Sequence, residues 1–85
     1  MYRVKVHIDV ERFLRKIPKH DAGRIRERIL SLKDPFTAKP RKVKGEESTF
    51  RLRVGDYRIL FFIDEEQKIV TVSKVDKRSR VYDRL

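Results

Sequence analysis

The sequence predicts a single α+β domain over residues 1–85. An N-terminal strand, a pair of helices and an antiparallel meander would form a four-stranded sheet with both helices on one face. Three observations predict this fold. Tyr2–Ile8 alternates apolar and polar residues, as a half-buried strand does. Residues 10–32 carry apolar side chains at helical spacing. Two apolar, β-rich runs flank Gly55-Asp56, which predicts a hairpin with a two-residue loop.

After the first strand, two amphipathic patterns predict a helical hairpin. Asp9 is a favourable N-cap for a first helix whose apolar stripe lies within Val10–Ile17. Pro18 ends that helix because its ring cannot continue the hydrogen-bond ladder. The second stripe lies within Ala22–Leu32, and Pro35 follows it. Both helices are too short to be stable alone, so their stripes must pack against the sheet or each other.

The central hairpin, Phe50–Val54 and Tyr57–Ile63, separates its side chains by face, because successive residues of a strand point to opposite sides. The expected register places Arg53 opposite Arg58. The core face then receives Phe50, Leu52, Val54, Tyr57, Ile59 and Phe61, and the other face receives Arg51, Arg53 and Arg58. Like charges directly opposite each other destabilise a sheet. The arginine face is therefore either a solvated surface or a surface that binds anions.

The remaining segments are a linker, a last strand and a tail. Val43 marks a short edge strand in the linker that precedes the hairpin. The last strand is expected over Lys68–Val75, with Val70 opposite Phe61 and Ser73 opposite Arg58. The tail, Asp76–Leu85, is basic and contains one aromatic residue: Lys77, Arg78, Arg80 and Arg84 surround Tyr82. This tail either packs back on the domain or stacks Tyr82 on an unpaired base.

The charge balance predicts an anionic partner. The chain has 23 Lys and Arg against 13 Asp and Glu, a net charge of +10, which favours association with a polyanion or an acidic protein. There is no cysteine, and the two histidines are far apart, so neither a metal site nor a small-molecule cofactor is expected. No apolar run is long enough to span a bilayer, so we expect no membrane contact and a cytoplasmic protein.

The arginines indicate one kind of chemistry. Arginine cannot act as a general base at neutral pH, but its planar fork can bind a phosphodiester and stabilise added negative charge. An arginine-lined site therefore fits RNA cleavage in which the substrate supplies its own 2′-OH as nucleophile. DNA has no 2′-OH, so such a site would distinguish RNA from DNA without reading a base.

The sequence resembles the RelE/ParE superfamily of toxins from toxin–antitoxin systems. The order of elements agrees, and the most specific pieces are Gly55-Asp56-Tyr57-Arg58 and Lys77-Arg78 followed by Val81-Tyr82. The resemblance implies a fold like that of small microbial ribonucleases. It also implies a cognate, acidic RelB-like antitoxin that neutralises the toxin in a hetero-oligomer.

Within that superfamily, the RelE branch consists of ribosome-dependent endoribonucleases that cleave mRNA in the A site and inhibit translation. Transferred by position, the resemblance implies catalytic roles for Arg53, Arg58, Arg78 and Tyr82. It implies RNA-binding roles for Lys42, Lys44, Arg51, Lys77 and Arg80. Many members carry lysines where this chain has Arg51 and Arg53, so a base would have to come from Lys42, Lys44 or Lys77, or the mechanism would rest on phosphate stabilisation.

Two alternatives remain open at this point. The first is a ParE-like toxin that inhibits DNA gyrase without cleaving nucleic acid; such members commonly lack the arginine and tyrosine pair formed here by Arg78 and Tyr82. The second is a basic RNA-binding module without activity, which predicts salt-sensitive binding and no cleavage.

Overall fold

The computed structural model describes residues 1–43, 45 and 49–77. Within this part of the chain, strands and helices follow one another in the expected α+β order. The elements are β1 Arg3–Val6, α1 Ile8–Lys16, α2 Lys19–Ser31, a 3₁₀ helix Pro35–Ala38, β2 Arg41–Lys42, β3 Thr49–Val54, β4 Tyr57–Asp64 and β5 Ile69–Lys77.

The described strands form one mixed sheet of five strands in the order β1-β5-β4-β3-β2. The expected α+β fold, with both helices on one face of the sheet, is confirmed, but the sheet differs from the expected four-stranded one in two ways. First, β1 pairs with β5 in parallel. An alternating sequence pattern does not specify strand direction. The two helices connect β1 to the rest of the sheet, so that β1 and β5 can run in the same direction. Second, Arg41–Lys42 forms a short edge strand one residue before Val43, whose N–H donates to the Thr49 carbonyl at 2.8 Å.

Helix α1 begins earlier than its sequence pattern predicts. Its N-cap is His7, not Asp9: the Nδ1 atom of His7 accepts a hydrogen bond from the Asp9 N–H at 3.0 Å. Asp9 lies instead in the first turn, where a carboxylate interacts favourably with the helix dipole. Helix α2 also begins earlier, directly after Pro18, whose fixed φ suits the position before a helix.

The hydrophobic core lies between the two helices and one face of the sheet. Val10 and Leu14 of α1 and Ile25 and Ile29 of α2 are buried against the apolar face of the strands. The expected core face of the sheet is confirmed, because all of its members are buried: Phe50, Leu52, Val54, Tyr57, Ile59, Phe61, Val70 and Val72. We call this the helix side of the sheet. No helix of the described residues covers the opposite side.

The hairpin loop is held against α2 on the helix side. Gly55 has a φ of +57°, the left-handed region that favours glycine, and a Cβ there would lie 3.6 Å from a guanidinium nitrogen of Arg24. The Tyr57 hydroxyl donates a hydrogen bond to Asp21 Oδ2 at 3.1 Å. Burial, followed by this hydrogen bond and the negative charge of Asp21, raises the pKa of Tyr57 above its usual 10.0. These contacts fix the position of β3 and β4 relative to the helices.

The register between β4 and β5 differs from the expected one. Phe61 pairs with Val72 instead of Val70, and Arg58 pairs with Asp76 instead of Ser73. The slip of two residues at Phe61 leaves Val70 and Val72 on the core face and Thr71 on the opposite face, as expected. A β-bulge then follows: Leu60 pairs with Lys74, so Ser73 is an extra residue, and its hydroxyl donates to the Leu60 carbonyl at 3.3 Å. The bulge reverses the alternation, so that Val75 points to the core.

We expect His7→Ala to lower the free energy of unfolding by about 1 kcal/mol, because the helix loses the side-chain acceptor at its N-cap. His7→Asn keeps a short acceptor at that position and should retain most of the stability. Urea unfolding at neutral pH measures both. Equal stability of His7→Ala and the wild type would contradict the capping role.

We expect Tyr57→Phe to lower the free energy of unfolding by about 1–2 kcal/mol, because a partly buried hydrogen bond to a carboxylate is lost. The raised pKa means that the folded chain holds the phenol proton more tightly than the unfolded chain. The difference in free energy of unfolding between the wild type and Tyr57→Phe is therefore largest below the ordinary tyrosine pKa, and it decreases as the pH rises above that pKa. Urea unfolding of both proteins across that range tests this, and a constant difference would contradict it.

Candidate nucleic-acid interface

The side of the sheet away from the helices carries cations from each of the five described strands. Paired residues of neighbouring strands point to the same side of a sheet, so the register identifies the members. We call this set of seven cations the basic face: Arg3, Lys5, Arg41, Arg51, Arg53, Arg58 and Lys74. Among the paired strand residues, two carboxylates share that side, Asp64 and Asp76. The basic face therefore has a strong positive bias.

The basic face is ordered in rows that run across the strands. One row consists of Arg41, Arg51, Leu60 and Lys74. The next row consists of Arg53, Arg58 and Asp76. Neighbouring strands lie roughly 4.8 Å apart, so side chains of one row are within reach of a common extended polyanion. Such rows suit a phosphate backbone that crosses the sheet.

Arg53 and Arg58 lie directly opposite each other, as the hairpin register predicted. Arg53 is exposed, whereas Arg58 is half-buried. Directly opposed like charges repel, so this pair destabilises the sheet when no anion is near. A bound phosphate between the two guanidinium groups would remove that repulsion.

Arg58 has a carboxylate neighbour on its other side. Its Nη2 atom lies 3.4 Å from Asp76 Oδ2, and the two side chains are only 18% and 19% exposed. The same Asp76 oxygen lies 3.9 Å from Lys74 Nζ. The prediction that Ser73 lies opposite Arg58 is therefore wrong, because the shifted register places Asp76 opposite Arg58.

The ion pair between Arg58 and Asp76 leaves polar atoms without partners. Among the described residues, the buried Arg58 Nε and Asp76 Oδ1 atoms make no hydrogen bond. A buried polar atom without a partner costs about 1–3 kcal/mol. Among residues 1–43, 45 and 49–77, the pair is therefore incomplete as a structural ion pair.

The structure gathers part of the expected site. Arg51, Arg53 and Arg58 lie together on the basic face. Lys42 pairs with Phe50 and Lys77 with Tyr57, so the register assigns both lysines to the helix side, away from those arginines. Lys44, Arg78, Arg80 and Tyr82 lie outside the described residues, and their roles stay predictions.

Four members of the basic face were not expected from the sequence as site residues: Arg3, Lys5, Arg41 and Lys74. The alternation of the first strand marks Arg3 and Lys5 as polar, but only the pairing of β1 with β5 shows which side they share. Asp76 was also missed, and its position depends on the bulge at Ser73. Its signal in the sequence is weak, because a single acidic residue between lysines is also typical of a solvated strand end.

A small cavity of about 110 Å³ lies at the other side of the hairpin loop, against α2. Its lining includes Asp21, Arg24, Gly55 and Tyr57, the same residues that anchor the loop. Within residues 1–43, 45 and 49–77, no group of three or more His, Asp or Glu side chains is placed to hold a metal ion. In the same residues, no helix has the length and apolar content needed to cross a membrane.

The fold is similar to those of several solved toxin structures. It matches a chain of the RelBE2 toxin–antitoxin complex from Mycobacterium tuberculosis with a TM-score of 0.78 and 30% identity, covering 91% of this chain and 98% of that one. It matches a chain of the archaeal RelE–RelB complex from Pyrococcus horikoshii with a TM-score of 0.77 and 29% identity, covering 93% and 97%. The isolated RelE toxin of E. coli, at 18% identity, shares the fold, with a TM-score of 0.76 over 99% of this chain and 94% of that one.

Sequence comparison leads to the same group of proteins. The chain is 24% identical over 85 residues to a protein of Methanocaldococcus jannaschii that is provisionally named toxin RelE1, covering 95% of this chain and 94% of that protein. The family described as the ParE toxin of type II toxin–antitoxin systems, parDE, matches residues 4–82. The chain therefore belongs to this toxin family and is a RelE-like member of the RelE/ParE superfamily that its sequence resembles.

Proposed function

We propose that this toxin is an endoribonuclease that cleaves mRNA in the ribosomal A site and thereby inhibits translation. The observation that carries the proposal is the basic face, above all the directly opposed Arg53 and Arg58. Two adjacent guanidinium groups are a suitable binding site for one phosphodiester, because each offers several donors in a fixed plane. Neighbouring cations, such as Arg51, bind the adjacent phosphates.

The proposed reaction uses a nucleophile that the substrate supplies. The 2′-oxygen attacks the adjacent phosphorus, a 2′,3′-cyclic phosphate forms, and the bond to the 5′-oxygen breaks. The proton of the 2′-OH is lost, and the leaving 5′-oxygen gains one. Arg53 and Arg58 stabilise the added negative charge on the five-coordinate phosphorus. Arg78 and Tyr82 keep the roles that the resemblance implies, one as a phosphate ligand and one as a base-stacking side chain.

The described part of the basic face offers no group suited to act as a strong base. Its cations are mostly arginines, which stay protonated at neutral pH, and Asp76 faces Arg58 and Lys74. Orientation of the 2′-OH in line with the leaving group must then supply much of the rate. We therefore propose that the ribosome orients the mRNA and that free RNA is cut poorly.

The proposed neutralising partner is a cognate antitoxin with an acidic, amphipathic sequence. RelE proteins occur in complexes with RelB in Pyrococcus horikoshii and with an antitoxin in Mycobacterium tuberculosis. The net charge of +10 on this chain favours a negatively charged partner over its basic face. Both partners, the ribosome and the antitoxin, place the proposed activity in the cytoplasm.

A second candidate function is inhibition of DNA gyrase. The observation that favours it is the family description, which names the ParE toxin. The basic face fits either nucleic acid by charge alone. The two functions differ in their product, because a gyrase toxin leaves mRNA intact.

We expect Arg58→Gln to lower the rate of mRNA cleavage on translating ribosomes by about 100-fold, because one stabiliser of the transition-state charge is lost. Arg53→Gln should have an effect in the same direction. Mapping of mRNA ends after addition of the purified chain measures the rate. Arg15→Gln is the matched control, since Arg15 is an exposed arginine on α1, on the helix side.

The outcomes separate the candidate functions. Cleavage that Arg58→Gln and Arg15→Gln affect equally would contradict the proposed site. Intact mRNA together with gyrase trapped on DNA would favour the ParE-like function. Salt-sensitive RNA binding without any cleavage would indicate a binding module. Efficient cleavage of free RNA would contradict the proposed need for the ribosome.

A further inference from the structure

Asp76 is the carboxylate that stands within the rows of the basic face. Arg58 lies between Arg53 on one side and Asp76 on the other, and Lys74 also reaches Asp76. The other carboxylate of that side, Asp64, lies at the far end of β4 and accepts a hydrogen bond from the Gln67 N–H at 3.0 Å. Asp76 is therefore the carboxylate placed to act on the arginine that binds the scissile phosphate in the proposed function.

The geometry of the pair differs from that of a strong ion pair. The closest approach between Arg58 and Asp76 is 3.4 Å, whereas charge-assisted N–H···O bonds are commonly about 2.7–2.9 Å. One further polar atom on each side chain is buried without a partner among the described residues. A half-buried ion pair stabilises a fold only when its remaining donors and acceptors are also satisfied. Stability alone thus gives a poor account of this pair.

The charges around the pair favour exchange of one anion for another. Arg58 and Lys74 lie beside Asp76, and Arg53 lies opposite Arg58 on the next strand, so the site keeps a positive excess after Asp76 is counted. A phosphodiester carries the same unit charge as a carboxylate and likewise presents two oxygens. It can therefore take over the bonds that Asp76 makes, while Asp76 moves toward Lys74.

We propose that Asp76 is a resident anion that occupies the phosphate-binding position of Arg58 in the free toxin. An RNA phosphodiester takes its place on binding. This inference rests on the proposed function, because it assumes that the basic face binds RNA. The resident anion keeps Arg58 positioned on the sheet against repulsion from Arg53. It also weakens the binding of any polyanion that does not displace it, so that an oriented substrate is favoured over free RNA.

The test compares Asp76→Asn with Asp64→Asn. Both variants remove one negative charge from the same side of the sheet, but only the first removes the charge beside Arg58. The probe is a short 2′-O-methyl oligouridine, which has no free 2′-OH and so cannot be cut by the proposed reaction. Fluorescence anisotropy at several salt concentrations measures its dissociation constant for the purified full chain.

We expect Asp76→Asn to bind the probe about 5-fold more tightly than Asp64→Asn, because one charge-assisted contact no longer has an internal competitor. The dependence of log K on log salt should steepen by about 0.7 for each additional phosphate contact. In an Arg58→Gln background the difference between the two variants should disappear. Persistence of the difference there would assign it to general charge and overturn the inference.

Failure of this inference and failure of the proposed function give different results. If the wild type binds the probe, and Asp76→Asn and Asp64→Asn bind it equally, the inference is overturned and the RNA-binding surface stands. If neither the wild type nor Asp76→Asn shows salt-dependent binding, the inference is overturned, whereas intact mRNA on translating ribosomes is the result that overturns the proposed function.

A second measurement uses the wild type and therefore does not depend on the folding of Asp76→Asn. Nitrogen-15 and carbon-13 NMR report on Arg58 Nε–H and on the Asp76 carboxyl carbon. Both signals should shift as the probe is added, whereas the Asp64 carboxyl carbon should not. A shift at Arg58 without any change at Asp76 would show that phosphate binds without displacing the carboxylate and would overturn the inference.

Discussion

The pleat of the β3–β4 hairpin is the constraint on which the rest of this structure depends. Because side chains alternate along the two strands, the same strands that supply core residues to one face also project arginines to the opposite side. The two-residue loop at Gly55-Asp56 sets the register, and the hydrogen bond from Tyr57 to Asp21 ties the hairpin to α2. A change at the core face of this hairpin would therefore also move the arginines.

This arrangement places stability and function in opposition. Seven cations on one side of a small sheet repel one another, and two pairs lie directly opposite each other: Arg53 with Arg58 and Arg41 with Arg51. Native proteins accept such local strain where a ligand relieves it. Under the proposed function, an antitoxin or RNA bound to these cations removes the repulsion, so the toxin is least stable when it is alone.

Much of the fold could be predicted from the sequence, because it follows from local patterns. The alternation, the helical stripes and the Gly55-Asp56 loop indicated the elements, the core face and the opposed arginines. The β4–β5 register was wrong because a four-residue loop and the bulge at Ser73 carry no strong sequence signal. The side of the sheet on which Lys77 lies depends on that register, and the side on which Lys42 lies depends on a strand of only two residues. The parallel pairing of β1 was not predictable, since periodicity contains no direction.

The bulge at Ser73 has a consequence for how β5 can change in length. In a strand without a bulge, strict alternation would place Lys74 and Asp76 on the helix side and Val75 on the opposite side. The extra residue Ser73 reverses the alternation, so Lys74 and Asp76 lie on the side away from the helices and Val75 lies in the core. Shortening β5 at Ser73 would give a regular ladder with all remaining residues still correctly directed. Shortening it elsewhere would exchange inside for outside, so natural length variation among relatives should concentrate at this point.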